Sequence, residues 1–271
     1  MKLQLIDTGY FYADGGAMFG AIPRTAWQRR YAADKDNCCV LAMRTALVST
    51  DSGKTILIDN GAGNKHLKEM SYYRFFGLKD LNDELQKAGV SPGDITDVIL
   101  THLHFDHCGY TTQRNADGHL SLAFPNATHW VSRKQWESCH NPNPLEKDSF
   151  FTENIDLTET EGKLCLLEED TELCNGIGLR LFDGHTDGQI VVYILIDGQT
   201  HVFAGDVIPL AAHVSPRWIS AYDIRPLTSY GEKLRLLEEA AADNQTVIFC
   251  HDVQTHHATI QKKNDYFRLL R

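Results

Sequence analysis

The sequence has no Cys-x-x-Cys pair, and its seven cysteines are an odd number, which excludes complete disulfide pairing and that common metal spacing. Free, buried thiols in a reducing compartment are the expectation, with Cys108 and Cys250 the two that flank ligand-type residues. Basic runs are equally scarce: none is longer than Gln28-Arg29-Arg30 or Lys262-Lys263, and the formal net charge is -10. Nucleic-acid binding leans on clustered Lys and Arg, so no such partner is expected. The stretch Met1-Lys2-Leu3-Gln4-Leu5-Ile6-Asp7 holds no apolar run long enough for a signal peptide or a span. A cytoplasmic protein with no membrane partner is therefore expected. No internal repeat or flexible linker breaks the chain, and 271 residues, 42% hydrophobic and 23% charged, suffice for one soluble α/β domain over residues 1–271.

What is present is an alternation of apolar runs and turn signals. Residues 40–48, 55–58, 97–100, 128–131, 179–182, 190–196, 201–203 and 246–249 are rich in β-branched or large apolar side chains and predict strands. Asp51-Ser52-Gly53 and Asp197-Gly198-Gln199 fit hairpin turns between adjacent strands. Leu81, Leu85 and Ala88 form a helical stripe between an Asp80 cap and Gly89, and Leu234, Leu237 and Ala241 form another between Gly231 and Asn244. Residues 9–37, with Gly15-Gly16-Ala17-Met18-Phe19-Gly20 and Trp27-Gln28-Arg29-Arg30-Tyr31, are too irregular for a buried strand pair. They are expected to form an N-terminal cover over a sheet edge, or a flap that lines substrate or a homodimer interface.

The densest chemistry lies in Thr101-His102-Leu103-His104-Phe105-Asp106-His107, directly after the apolar run Asp97-Val98-Ile99-Leu100. Side chains alternate along a strand, so His102 and His104 leave on one face, and a turn is needed to bring Asp106 and His107 alongside. Imidazoles with carboxylates make a ligand set for zinc, with manganese or iron accepted by the same groups. The segment resembles the His-x-His-x-Asp-His signature of the metallo-β-lactamase superfamily. Gly184-His185-Thr186-Asp187-Gly188, Phe203-Ala204-Gly205-Asp206 and Phe249-Cys250-His251-Asp252 resemble its other ligand loops in the same order, and Asp59 matches an early strand-end aspartate.

That resemblance implies a four-layer αββα sandwich of two mixed β-sheets flanked by helices. It implies one metal ion on His102, His104 and His185, a second on Asp106, His107 and His251, and Asp206 bridging the two. A bridging hydroxide would then attack a polarised carbonyl or phosphoryl group, with Asp106 orienting it and passing a proton to the leaving group. Residues 16–20, Trp27, Asn37 and the stretch from Gly205 to His213 look like the branch of N-acyl-homoserine lactonases and related phosphotriesterases. Several of those lactonases carry a tyrosine three residues after the bridging aspartate. Here that position is Pro209, and Tyr222 or His213, the latter expected at the site mouth, are the candidates to replace it. Ester or lactone hydrolysis is the leading expectation. A phosphotriesterase, a glyoxalase II-type thioesterase and a metal-binding module without catalysis are the alternatives.

Overall fold

The computed structural model describes residues 1–115 and 117–270. Two compact units divide the chain, the first from residues 1–11 and 43–168, the second from residues 12–42 and 169–271. Strands β1 (Lys2–Asp14) and β2 (Cys38–Ser49) run through both ranges and are joined by two short helices, α1 (Gly15–Phe19) and α2 (Arg24–Trp27).

The first unit continues with β3 (Thr55–Ile58), α3 (Leu81–Lys87), β4 (Asp97–Ile99), α4 (Phe105–Cys108) and a small hairpin of β5 (Thr112–Arg114) and β6 (Leu120–Leu122). It closes with β7 (Thr128–Ser132), α5 (Arg133–His140), α6 (Asp156–Thr160) and β8 (Leu164–Leu167). The sheet order is β1-β2-β3-β4-β7-β8, antiparallel between β2 and β3 and parallel from β3 to β8. Parallel strands need crossovers, and α3 and α5 supply them. α3 begins at Asp80, whose carboxylate accepts from the Asn82 amide at 2.8 Å, and buries Leu81 and Leu85 against Leu57, Val98 and Val131.

The second unit holds β9 (Thr171–Cys174), β10 (Ile177–Phe182), β11 (Gln189–Ile196), β12 (Gln199–Phe203), α7 (Pro226–Ala242), β13 (Thr246–Ile248), β14 (His257–Lys263) and β15 (Tyr266–Leu270). Its sheet runs β15-β14-β13-β12-β11-β10-β9 and is antiparallel except for the β12–β13 pair. Both sheets are thus mixed, as expected. The helix begins at Pro226, earlier than the periodicity predicts, and its buried face is Lys233, Leu236, Leu237 and Ala240, packed over Val191, Val202 and Val247. Leu234 and Ala241 sit at the margin of that face.

The N-terminal segment departs from expectation. Residues 9–14 complete the long strand β1, in which Ile6, Thr8, Phe11 and Ala13 are buried and Asp7, Tyr10 and Tyr12 are less so. The remainder packs inside the second unit: Phe19 is sandwiched between Trp27, at 4.8 Å, and the His213 ring, at 5.1 Å. Met18, Phe19 and Trp27 are all buried. They are core residues of this unit, which leaves little apolar surface here for a ligand to meet.

Candidate metal centre

In the first unit, β3 and β4 pair in parallel, so Asp59 at the end of β3 lies beside Thr101 and His102, which follow β4. Asp59 has a positive φ of 56°, a conformation short polar residues tolerate, and it is almost fully buried. Its carboxylate accepts from the Thr101 amide at 2.7 Å, the Thr101 hydroxyl at 2.8 Å and His107 Nδ1 at 2.8 Å. Burial raises its pKa, and the neighbouring His107 and Thr101 donors oppose that rise. A carboxylate that only accepts requires the proton of His107 to sit on Nδ1, so Nε2 carries the ring's lone pair. The same logic extends through Thr101: its hydroxyl donates to Asp59 and so receives His102 Nδ1–H at 3.1 Å, again leaving the lone pair on Nε2.

The one-turn helix α4 then makes the turn that the sequence requires. His104 stands at its N-cap, and Asp106 and His107 lie inside it, with Asp106 Oδ2 3.6 Å from His107 Nε2. The rings of His102 and His104 are 4.5 Å apart and those of His102 and His107 4.0 Å, so three imidazoles and a carboxylate form one cluster. His104 differs from the others. Its Nε2 faces Glu146 Oε2 at 3.4 Å, a buried carboxylate held in turn by Asn143 at 2.6 Å, and this assigns the lone pair of His104 to Nδ1. Glu146 has no motif around it and escapes sequence reading.

The second unit gathers His185, Asp206 and His251. Asp206 follows β12 in a tight turn in which Gly205 has a φ of 52°. Its two oxygens face different histidines: Oδ2 lies 3.4 Å from His185 Nε2, and Oδ1 lies 3.0 Å from His251 Nε2. Ligand atoms about 2.0 Å from a tetrahedral ion are separated by roughly 3.3 Å, which matches both spacings. His185 Nδ1 donates to Asp223 at 2.9 Å and His251 Nδ1 to the Ala42 carbonyl at 2.7 Å, so these rings also carry their lone pairs on Nε2, toward Asp206. Asp223, 38 residues along the chain from His185, is a second partner that sequence reading misses. Cys250 completes the group: its Sγ is 3.2 Å from Asp206 Oδ1, and burial pushes the thiol up to about 12.

The loop that carries His185 is shaped by α7. Glu232 accepts from the Asp183 and Gly184 amides, each at 2.9 Å, and a Cβ on Gly184 would meet the Ser229 backbone at 2.5 Å. His213 is wholly buried, donating from Nε2 to the Met18 carbonyl at 2.9 Å, and burial pulls its pKa down to about 3. The Phe19 stack encloses the ring. Tyr222 is 38% exposed, and its amide donates to Ser220 Oγ. Among the described residues no helix is long and apolar enough to cross a membrane.

The imidazoles and carboxylates, with tautomers fixed by buried acceptors, fit divalent transition metals in kind and orientation. Comparison with known proteins agrees. Residues 43–111 match the family model of the metallo-beta-lactamase superfamily. The N-acyl homoserine lactonase AiiB of Agrobacterium fabrum is 25% identical over 201 residues, which is 71% of this chain and 70% of the relative. A probable metal-dependent hydrolase from Staphylococcus aureus superposes with a TM-score of 0.89 at 29% identity, over 100% of this chain and 97% of its own. AidC, a dizinc quorum-quenching lactonase, superposes with a TM-score of 0.81 at 21% identity, covering 99% of this chain and 93% of its own, a likeness of fold. Residues 43–111 thus carry the signature of the metallo-β-lactamase superfamily, and the whole chain has its α/β fold and resembles metal-dependent hydrolases of its lactonase-like branch.

Proposed function

We propose that the protein hydrolyses esters or lactones bearing an apolar acyl group, through a dinuclear centre held by His102, His104, Asp106, His107, His185, Asp206 and His251. The supporting observation is Asp206, whose two oxygens each face a different histidine Nε2, as a carboxylate shared by two ions requires. Two divalent ions, zinc or else manganese or iron, supply an activated water and a polarised carbonyl when bound. The chain's own residues do the rest. Asp106, 9% exposed, takes up a proton at its carboxylate and returns it to the departing alkoxide. Tyr222 is the candidate phenolic donor to the substrate carbonyl, in place of the residue that Pro209 displaces. His213 acts indirectly, through the Met18 carbonyl and the Phe19 stack, by holding its segment in place.

The acyl preference rests on an aromatic cluster in the first unit. Phe105, between His104 and Asp106, has ring neighbours Tyr73 at 5.0 Å, Phe75 at 6.0 Å and Phe11 at 6.2 Å, and Tyr72 beside them is 62% exposed. Apolar surface next to a metal-ligating motif favours acyl chains at roughly 0.8 kcal/mol per buried methylene. Kinetics of zinc-loaded protein on esters and lactones of increasing chain length, with phosphotriesters and thioesters alongside, test the reading. A rise in kcat/KM with chain length, blunted in Phe75→Ala, is expected. Activity confined to phosphotriesters or thioesters sinks it. The AiiB relative is a lactonase, which favours lactones among these substrates.

A further inference from the structure

We infer that Cys250 is itself a metal ligand, so that Asp206, Cys250 and His251 form a soft end of the centre. This rests on the dinuclear reading above and adds a sulfur donor to it. The three ligand atoms lie within 4.8 Å of one another and all belong to the second unit. Sγ stands 3.2 Å from Asp206 Oδ1, which is 3.0 Å from His251 Nε2, so one carboxylate oxygen is flanked by the sulfur and the imidazole.

The backbone explains how neighbours in sequence reach the same place. β13 ends at Ile248, and the chain bends through Phe249 and Cys250, held by Phe249 N–H to His256 O at 2.9 Å and His251 N–H to Pro209 O at 3.1 Å. A continued strand would send Cys250 and His251 to opposite faces; the bend turns both toward Asp206. Sγ also lies 3.3 Å from the Gly205 carbonyl, yet a thiol has one proton for two acceptors. A cation satisfies the arrangement better. The metal–sulfur bond forms as the thiol proton leaves to solvent, giving a thiolate beside the carboxylate with the ion's charge between them. Thiolate selects softer ions, so zinc, cobalt and cadmium should gain at this end over manganese.

Cobalt substitution tests this without turnover. Wild-type protein loaded with Co2+ should show a near-ultraviolet sulfur-to-cobalt charge-transfer band in addition to the visible d–d bands. Cys250→Ser and Cys250→Ala should lose the former and keep the latter, while Cys108→Ser, a buried thiol bonded to the Leu103 carbonyl, should keep both. Cd2+ affinity should fall about tenfold or more in the Cys250 variants, with Mn2+ affinity little changed. Far-ultraviolet circular dichroism controls for folding. A wild type that binds two Co2+ ions without the charge-transfer band, or variants that retain it, overturns the sulfur ligand and leaves the dinuclear reading intact. A wild type that binds no Co2+ overturns both.

Discussion

Single hydrogen bonds decide which nitrogen each histidine offers. His185 depends on Asp223, and His102 and His107 depend on Asp59, directly or through Thr101. Replacing Asp223 with Asn keeps the shape and lets the amide present either a donor or an acceptor, so the tautomer is no longer enforced. Metal affinity should fall about 10- to 100-fold in Asp223→Asn, measured by competition with a chromophoric chelator. Unchanged affinity would show that His185 needs no such partner. The ligand types were legible from sequence because they sit in short motifs at strand ends. Asp223 and Glu146 were not, since a single carboxylate in a loop has no local pattern and acquires its role only when folding brings it to a ring nitrogen.

Whole elements explain where sequence reading held and where it failed. Strands with contiguous apolar runs, such as β3, β4 and β11, were legible because burial on both faces leaves few polar positions. β14 and β15 were not: Gln261, Lys262 and Lys263 are exposed, and β15 is an edge strand with three of its five residues exposed. β1 was hidden by its aromatics and by Gly9, where the alternation of inward residues shifts phase from Ile6 and Thr8 to Phe11 and Ala13. The segment after it left a packed cover and a substrate-lining flap both open; its aromatic rings are enclosed. Phe19→Ala should therefore cost about 3–5 kcal/mol in denaturant unfolding, and any change in acyl preference should be secondary to that loss. A stable Phe19→Ala variant with altered chain-length dependence would contradict the packing account. The α7 contact makes a similar demand at Gly184. In Gly184→Ala the new methyl group meets the Ser229 backbone, which neither side can yield cheaply, so the His185 loop should shift. Metal content per chain should then drop even where circular dichroism stays native.

For the molecule as a whole, acid should weaken the fold before any ligand chemistry is considered. His129, buried in β7, is held down to about 4 by burial, against 6.5 when exposed. Above pH 6.5 the residue is neutral in both states and contributes nothing. As pH falls from 6.5 toward 4, the unfolded chain takes the proton first, and up to roughly 3 kcal/mol of stability is lost. His129→Leu cannot charge, so its urea midpoint should vary less across that window than the wild type's; parallel curves would assign the acid sensitivity elsewhere. The packing of the N-terminal segment has one more consequence, an optical one. Of the four tryptophans, Trp27 stacks on Phe19 and Trp218 lies beneath Arg30 at 4.4 Å, while Trp130 and Trp136 belong to the first unit. Replacing Trp130 and Trp136 with phenylalanine would leave emission only from the enclosed aromatic stack, and its wavelength and quenching would then report the opening of that segment independently of the first unit.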